Sequence, residues 1–178
     1  MIRISIFAVS LCLLAAPFAP GATAATDPTR LNVVDYFLLL PADCFEGKPA
    51  TWLRFLRQPK CGLVDLANGY LSCIGDGAQP AFEVALFRYR NGQPLLAVCS
   101  GELEGPDSVF LNFFELGPDG KMKQARRSLL RVKDAGEEKR DWRFELPRHG
   151  RTLLVRKQRG GGILRRFTWT GEKFQEEK

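Results

Sequence analysis

Apolar residues follow a helical period near the start of this chain and an alternating period after about residue 63. Leu31, Val34 and Leu38 recur at helical spacing and predict a first helix, which we expect to start at Asp27-Pro28 because the aspartate can cap it and the proline suits a first turn. A second, shorter helix is predicted over residues 49–57. Both helices precede the region of alternating apolar residues.

Short apolar segments separated by turn residues predict β-strands in the rest of the chain. Asn91-Gly92, between two such segments, is the strongest short hairpin signal a sequence offers. We predict strands over residues 70–74, 82–89, 95–99, 109–116, 121–125, 142–146, 153–157 and 163–169, and a short last one around Phe174.

Three of these turns repeat one arrangement, over residues 87–93, 113–121 and 167–173, with aromatic residues just before a glycine and a polar residue after it. The irregular spacing of the three copies indicates a preference of hairpins and does not indicate a closed propeller.

Two predicted strands, 95–98 and 109–114, are apolar on both faces, whereas a strand with one wet face would alternate. Another layer must therefore cover the second face, and the N-terminal helices are the natural cover. The predicted fold class is α+β, mainly β. In it, two short N-terminal helices pack on an antiparallel β-meander of about eight to ten strands.

The first 25 residues are typical of a secretory signal peptide. Arg3 is followed by an apolar stretch over residues 4–16 and by small residues ending in Ala22-Thr23-Ala24-Ala25. We therefore expect a bacterial-type protein that is periplasmic or secreted, with residues 26–178 forming one mature α+β domain. No later apolar stretch approaches the ~20 residues of a membrane helix, so no transmembrane segment is expected in the mature chain.

Cleavage would leave an even set of four cysteines in a compartment where disulfide bonds persist. The four allow three pairings, and the sequence alone does not choose among them. We favour Cys44 with Cys61, which would join the two helix ends, and Cys73 with Cys99, which would join two strands. Their separations fit neither a redox pair nor a zinc site, so neither a metal nor a cofactor is expected.

Charge divides the chain unevenly. Residues 25–120 contain seven lysines and arginines against twelve acids, a net charge of −5, whereas residues 121–178 contain eighteen against eight, a net charge of +10. A local surplus of this kind attracts anionic partners when the fold gathers it on one surface. The candidate anion-binding residues in the basic third are Arg148, Arg151, Arg156, Arg159, Arg165 and Arg166. The alternative is that these arginines discourage association between strand edges.

Residues for catalysis are few. His149 is the single histidine, and its place at a predicted turn suits a solvated side chain better than an oriented base. Glu102, Glu104 and Asp107 crowd one loop, but such loop acids are the usual composition of an exposed connection. No catalytic residue is therefore assigned.

These observations favour a non-enzymatic binding module whose basic third contacts an anionic partner, whether a protein, a glycan or a lipid surface. One alternative is a small secreted hydrolase that uses the loop carboxylates or His149. A second alternative is a structural subunit of an envelope assembly, for which exposed apolar patches would be the sign.

Overall fold

A computed structural model describes residues 31–45, 47–75, 81–101, 110–125, 128–132, 142–157 and 160–178. Its helices are α1 (Val33–Leu38), a 3-10 turn (Ala42–Cys44) and α2 (Pro49–Leu56). The predicted second helix is confirmed. None of the helices in these ranges has the length and apolar character that crossing a bilayer requires.

The predicted start of the first helix at Asp27-Pro28 is wrong. Asn32 caps α1 by accepting hydrogen bonds from the backbone N–H groups of Val34 (2.8 Å) and Asp35 (3.2 Å). The Asp35 carboxylate in turn accepts from the backbone N–H of Asn32 (2.9 Å), which completes a capping box. This reciprocal cap satisfies backbone N–H groups at the first turn of α1, so the helix begins at Val33, after Asn32. Asp27 itself lies outside the described residues.

In the part of the chain that the structure describes, ten antiparallel strands form two sheets, which confirms the mainly β, α+β fold class. The first sheet has the order β1-β2-β3-β4-β5-β6 and the second the order β10-β9-β8-β7. Their bounds are β1 (Gly62–Asp65), β2 (Tyr70–Cys73), β3 (Ala81–Arg88), β4 (Pro94–Gly101), β5 (Phe110–Leu116), β6 (Met122–Gln124), β7 (Trp142–Glu145), β8 (Thr152–Lys157), β9 (Ile163–Trp169) and β10 (Phe174–Glu176).

The molecule has three layers, because a different element covers each face of the six-stranded sheet. The helices cover one face, where Phe37 and Trp52 pack with Phe82 of β3. The four-stranded sheet covers the other face, where Trp169 and Phe174 pack with Phe87. The expected helical cover of one face is confirmed, whereas a second sheet over the other face was not expected.

Antiparallel neighbours run in opposite directions, so the connections between consecutive strands alternate between the two ends of each sheet. The β1–β2, β3–β4 and β5–β6 turns therefore share one end of the first sheet, and the β7–β8 and β9–β10 turns share one end of the second. Two contacts bring the turn ends of the two sheets together. The backbone N–H of Arg90, after β3, donates to the carbonyl of Gly171, after β9 (3.2 Å). Arg148, after β7, forms an ion pair with Asp65 at the end of β1 (2.7 Å). We call this end of the molecule the turn end.

Candidate functional site

Turns from both sheets and the segment before α1 enclose a cleft of about 420 Å³ at the turn end. Two arginines, Arg88 and Arg151, line it together with Asn32 and Asn68, and no aspartate or glutamate is among its lining residues. We call it the arginine cleft. Its two guanidinium groups give it a positive charge that no lining group neutralises, which is the electrostatic character of an anion site.

Arg88 is held in place by contacts on several sides. Its Nη1 donates to the carbonyl of Gly92 (3.1 Å) and its Nη2 to the carbonyl of Leu31 (3.3 Å), while the guanidinium lies 6.0 Å from the ring centre of Tyr36. The indole N–H of Trp169 donates to the Arg88 carbonyl (2.8 Å). Because carbonyl partners carry no net charge, Arg88 keeps its positive charge in a fixed position at the cleft.

Arg151 lines the same cleft but is exposed, and no ion pair joins it to another described residue. It follows the turn at Gly150, whose φ of 79° lies in the left-handed region that favours glycine. Its carbonyl accepts a hydrogen bond from the backbone N–H of Trp169 (3.0 Å). The backbone of Arg151 is therefore fixed to β9, while its side chain is available to a partner.

Three of the other predicted arginines form ion pairs within the protein. Arg148 pairs with Asp65, Arg156 binds both carboxylate oxygens of Glu145 (2.5 and 3.1 Å), and Arg165 lies 3.6 Å from Glu176. Each of these pairs leaves the arginine with less free charge for a partner.

Arg166 is exposed and lies directly opposite Leu154, on the other face of β9 from Arg165. Arg159 lies outside the described residues. Of the five predicted arginines that the structure describes, Arg151 alone lines the arginine cleft, together with Arg88, which sequence reasoning missed. Arg88 closes an apolar strand next to a hairpin turn, and that position was the only signal available for it.

The ion pair of Asp65 with Arg148 joins the two sheets at the turn end. The hydrogen bond from Arg148 and those from the side chain and backbone of Asn68 lower the pKa of Asp65 to about 2. Asp65 is therefore ionised at neutral pH, and its charge holds the Arg148 turn beside the arginine cleft.

The predicted bond between Cys73 and Cys99 is wrong. Cys73 lies opposite Phe82 and Cys99 opposite Glu83, and successive residues of β3 face opposite sides of the sheet. Cys73 accordingly belongs to the core beneath the helices and Cys99 to the core between the sheets.

All four predicted disulfide cysteines are free thiols in the structure, so the Cys44–Cys61 bond is not formed either. Burial raises the pKa of Cys99 to about 12 and, with the nearby charge of Asp43, raises that of Cys44 to about 11. Both thiols are therefore protonated at neutral pH, which makes them weak nucleophiles.

The residues of the hydrolase alternative are not brought together by any described contact. His149 is exposed in the turn after β7, and Glu102, Glu104 and Asp107 lie outside the described residues. Within the described ranges, no group of three or more histidine, cysteine, aspartate or glutamate side chains is arranged to hold a metal ion.

No protein-family model, curated protein or solved structure matches this chain. The arginine cleft is accordingly interpreted from its own geometry and charge.

Proposed function

We propose that this protein is an exported, non-enzymatic binding module that holds an anionic group of its partner in the arginine cleft. The observation that carries the proposal is the lining of the cleft, which has two arginines, two asparagines and no carboxylate. The shared chemistry of its ligands is a carboxylate, sulfate or phosphate group, since guanidinium and amide N–H groups donate to all three.

Binding fits this cleft better than turnover does. Arginine stays protonated at all accessible pH values and asparagine is not a proton donor of catalytic strength, so these side chains hold charge without transferring protons. The apolar side chains of Leu31 and Leu66 also line the cleft, so the anionic group can belong to a larger partner with apolar surface. Export rests on the leader predicted at residues 1–25.

The test compares two arginines that carry equal charge in different places. Arg151→Gln removes the free guanidinium of the cleft, and Arg166→Gln removes an exposed guanidinium elsewhere in the same sheet. We measure binding to immobilised heparin, to phosphatidylglycerol vesicles and to polyglutamate, which present sulfate, phosphate and carboxylate groups respectively.

We expect Arg151→Gln to weaken binding to at least one of these probes by about tenfold, as expected for the loss of one charge-assisted hydrogen bond. Arg166→Gln should change the same affinity by less than about twofold, because exposed charges outside a site contribute little. Equal losses in the two variants would mean that net charge alone attracts the probe, and the proposal would then be abandoned. The same conclusion would follow if the wild-type protein bound none of the three probes.

A further inference from the structure

The three repeated hairpin turns meet at a second pocket of the turn end, beside the arginine cleft. The first turn supplies Tyr89, Arg90, Asn91 and Gln93, the strand before the second supplies Glu115 and Leu116, and the third supplies Gly171 and Glu172. The pocket encloses about 510 Å³, within the range of about 300 to 1,000 Å³ typical of small-molecule sites. We call it the tyrosine pocket.

The repeat explains why these residues converge. Phe87, Phe113 and Phe167 occupy matching positions, and all three lie in the core between the sheets. Residues two positions later, Tyr89 and Glu115, share their strand faces and reach the end of the sheet. The pocket is therefore built from residues of all three repeated stretches.

Hydrogen bonds fix the shape of the tyrosine pocket. The backbone N–H of Tyr89 donates to the carbonyl of Gln93 (2.9 Å), and Arg90 is tied to Gly171 as described above. Gly171 has a φ of 90°, in the left-handed region that favours glycine, and a Cβ added there would also lie 2.8 Å from Cγ of Arg90. A fixed wall loses little conformational entropy when a ligand binds.

Each carboxylate of the pocket has a hydrogen-bond or ion-pair partner within it. The hydroxyl of Tyr89 donates to Glu115 (2.5 Å), and Arg90 lies 3.5 Å from Glu172. With one arginine and two carboxylates the pocket has a formal charge of −1, which disfavours anions. Since each carboxylate already has a donor, a cationic ligand would have to compete with that donor.

We infer that the tyrosine pocket binds a neutral saccharide. Two amide side chains and two carboxylates line it, and sugar hydroxyls both donate and accept hydrogen bonds, so one ring can satisfy both kinds of group. The side chains of Asn91 and Gln93 are exposed there, and Tyr89 and Leu116 supply apolar surface for the C–H face of a sugar ring. This inference goes beyond the proposed function, because it concerns a different pocket and an uncharged ligand.

The first experiment measures binding of the full chain to a glycan array that carries neutral, sulfated and sialylated glycans. A neutral glycan that binds is then titrated into the isotope-labelled protein and followed by NMR. We expect binding to at least one neutral glycan, with shifts at the backbone N–H groups of Gln93 and Gly171. Gln93→Ala should weaken this binding by about fivefold through loss of hydrogen bonds. Gln175→Ala, the same substitution at an exposed position of β10, should leave the affinity unchanged.

A second variant, Glu172→Gln, keeps the shape of the pocket and should also weaken glycan binding. Each variant is also measured in the assay of the other site, which distinguishes the tyrosine pocket from the arginine cleft. Arg151→Gln should retain glycan binding, and Gln93→Ala should retain binding to the anionic probes. Absence of binding to every neutral glycan overturns the inference. Binding that Gln93→Ala does not weaken, or binding of the sulfated and sialylated glycans alone, overturns it equally.

Discussion

Glu83 shows how one side chain can link two sheets. It lies on β3 and faces the core between the sheets, where one carboxylate oxygen accepts from the Tyr70 hydroxyl (3.0 Å) and the other from the backbone N–H of Leu146, just after β7 (2.7 Å). Burial raises its pKa, and these two hydrogen bonds oppose that rise without cancelling it. Glu83 therefore joins the sheets while it remains sensitive to pH.

Because the pKa of Glu83 is higher in the folded than in the unfolded chain, its contribution to stability is fully present below the unfolded value of about 4.3 and is lost as the pH rises through the folded value. Glu83→Gln does not titrate. We expect its free energy of unfolding to rise relative to that of the wild type between pH 4 and pH 7. Urea unfolding at a series of pH values measures the difference. Parallel pH profiles for the two proteins would contradict it.

At the scale of single elements, β4 explains the three layers. Its alternate side chains enter different cores: Leu96 and Val98 face the helices, while Leu95 and Ala97 face the second sheet. All four are buried, as the doubly apolar pattern of this strand predicted. A strand that is apolar on both faces is stable only where a layer covers each face.

Leu95→Ala and Leu96→Ala should each lower the free energy of unfolding by about 2 to 5 kcal/mol, because both side chains are fully buried and each truncation leaves a cavity. Leu38→Ala is the matched control, since Leu38 is 41% exposed at the end of α1 and should cost less than about 1 kcal/mol. Chemical denaturation measures all three variants. If Leu95→Ala were as mild as the control, the second sheet would not cover this face.

At the scale of the whole molecule, few polar contacts fix how the two sheets meet. Asp65 with Arg148 and Glu83 with Leu146 join the first sheet to the segment after β7, and Arg90 with Gly171 joins two turns that line the tyrosine pocket. The apolar core between the sheets supplies burial energy but little direction, because the hydrophobic effect is non-directional. The polar contacts therefore determine which turns lie side by side.

Asp65→Asn should make the protein less stable at neutral pH. The pKa of Asp65 is lowered to about 2, so its stabilising charge is present above the unfolded pKa of about 3.9 and is lost as the pH falls towards 2. Thermal unfolding at pH 7 and pH 2 should show a smaller acid effect in Asp65→Asn than in the wild type.

Asp119→Asn is the control, because Asp119 pairs with Lys123 within the β5–β6 hairpin and does not join the sheets. Native-state alkylation of Cys99, which lies between the sheets, should be faster in Asp65→Asn and unchanged in Asp119→Asn. Equal rates in these two variants would show that the Asp65 contact does not hold the sheets together.

Sequence patterns predicted the helix over 49–57 and nine of the strands, because helical and alternating periods depend on which residues are adjacent along the chain. They missed the short strand β1, the cap at Asn32 and the faces of Cys73 and Cys99. Of the arginine cleft they indicated Arg151, whose charge is visible in composition. Arg88 was missed, since its role depends on carbonyl groups distant in sequence.

The sequence by itself determined the mainly β class, the doubly buried central strand and the hairpin turns, since each follows from local propensity and side-chain alternation. Only the tertiary structure decided that the strands divide into two sheets, that Cys73 and Cys99 enter different cores, and that turns from both sheets enclose an arginine cleft and a tyrosine pocket. The physical reason is that such contacts join residues far apart in the chain, and their geometry is set by how the layers pack against each other.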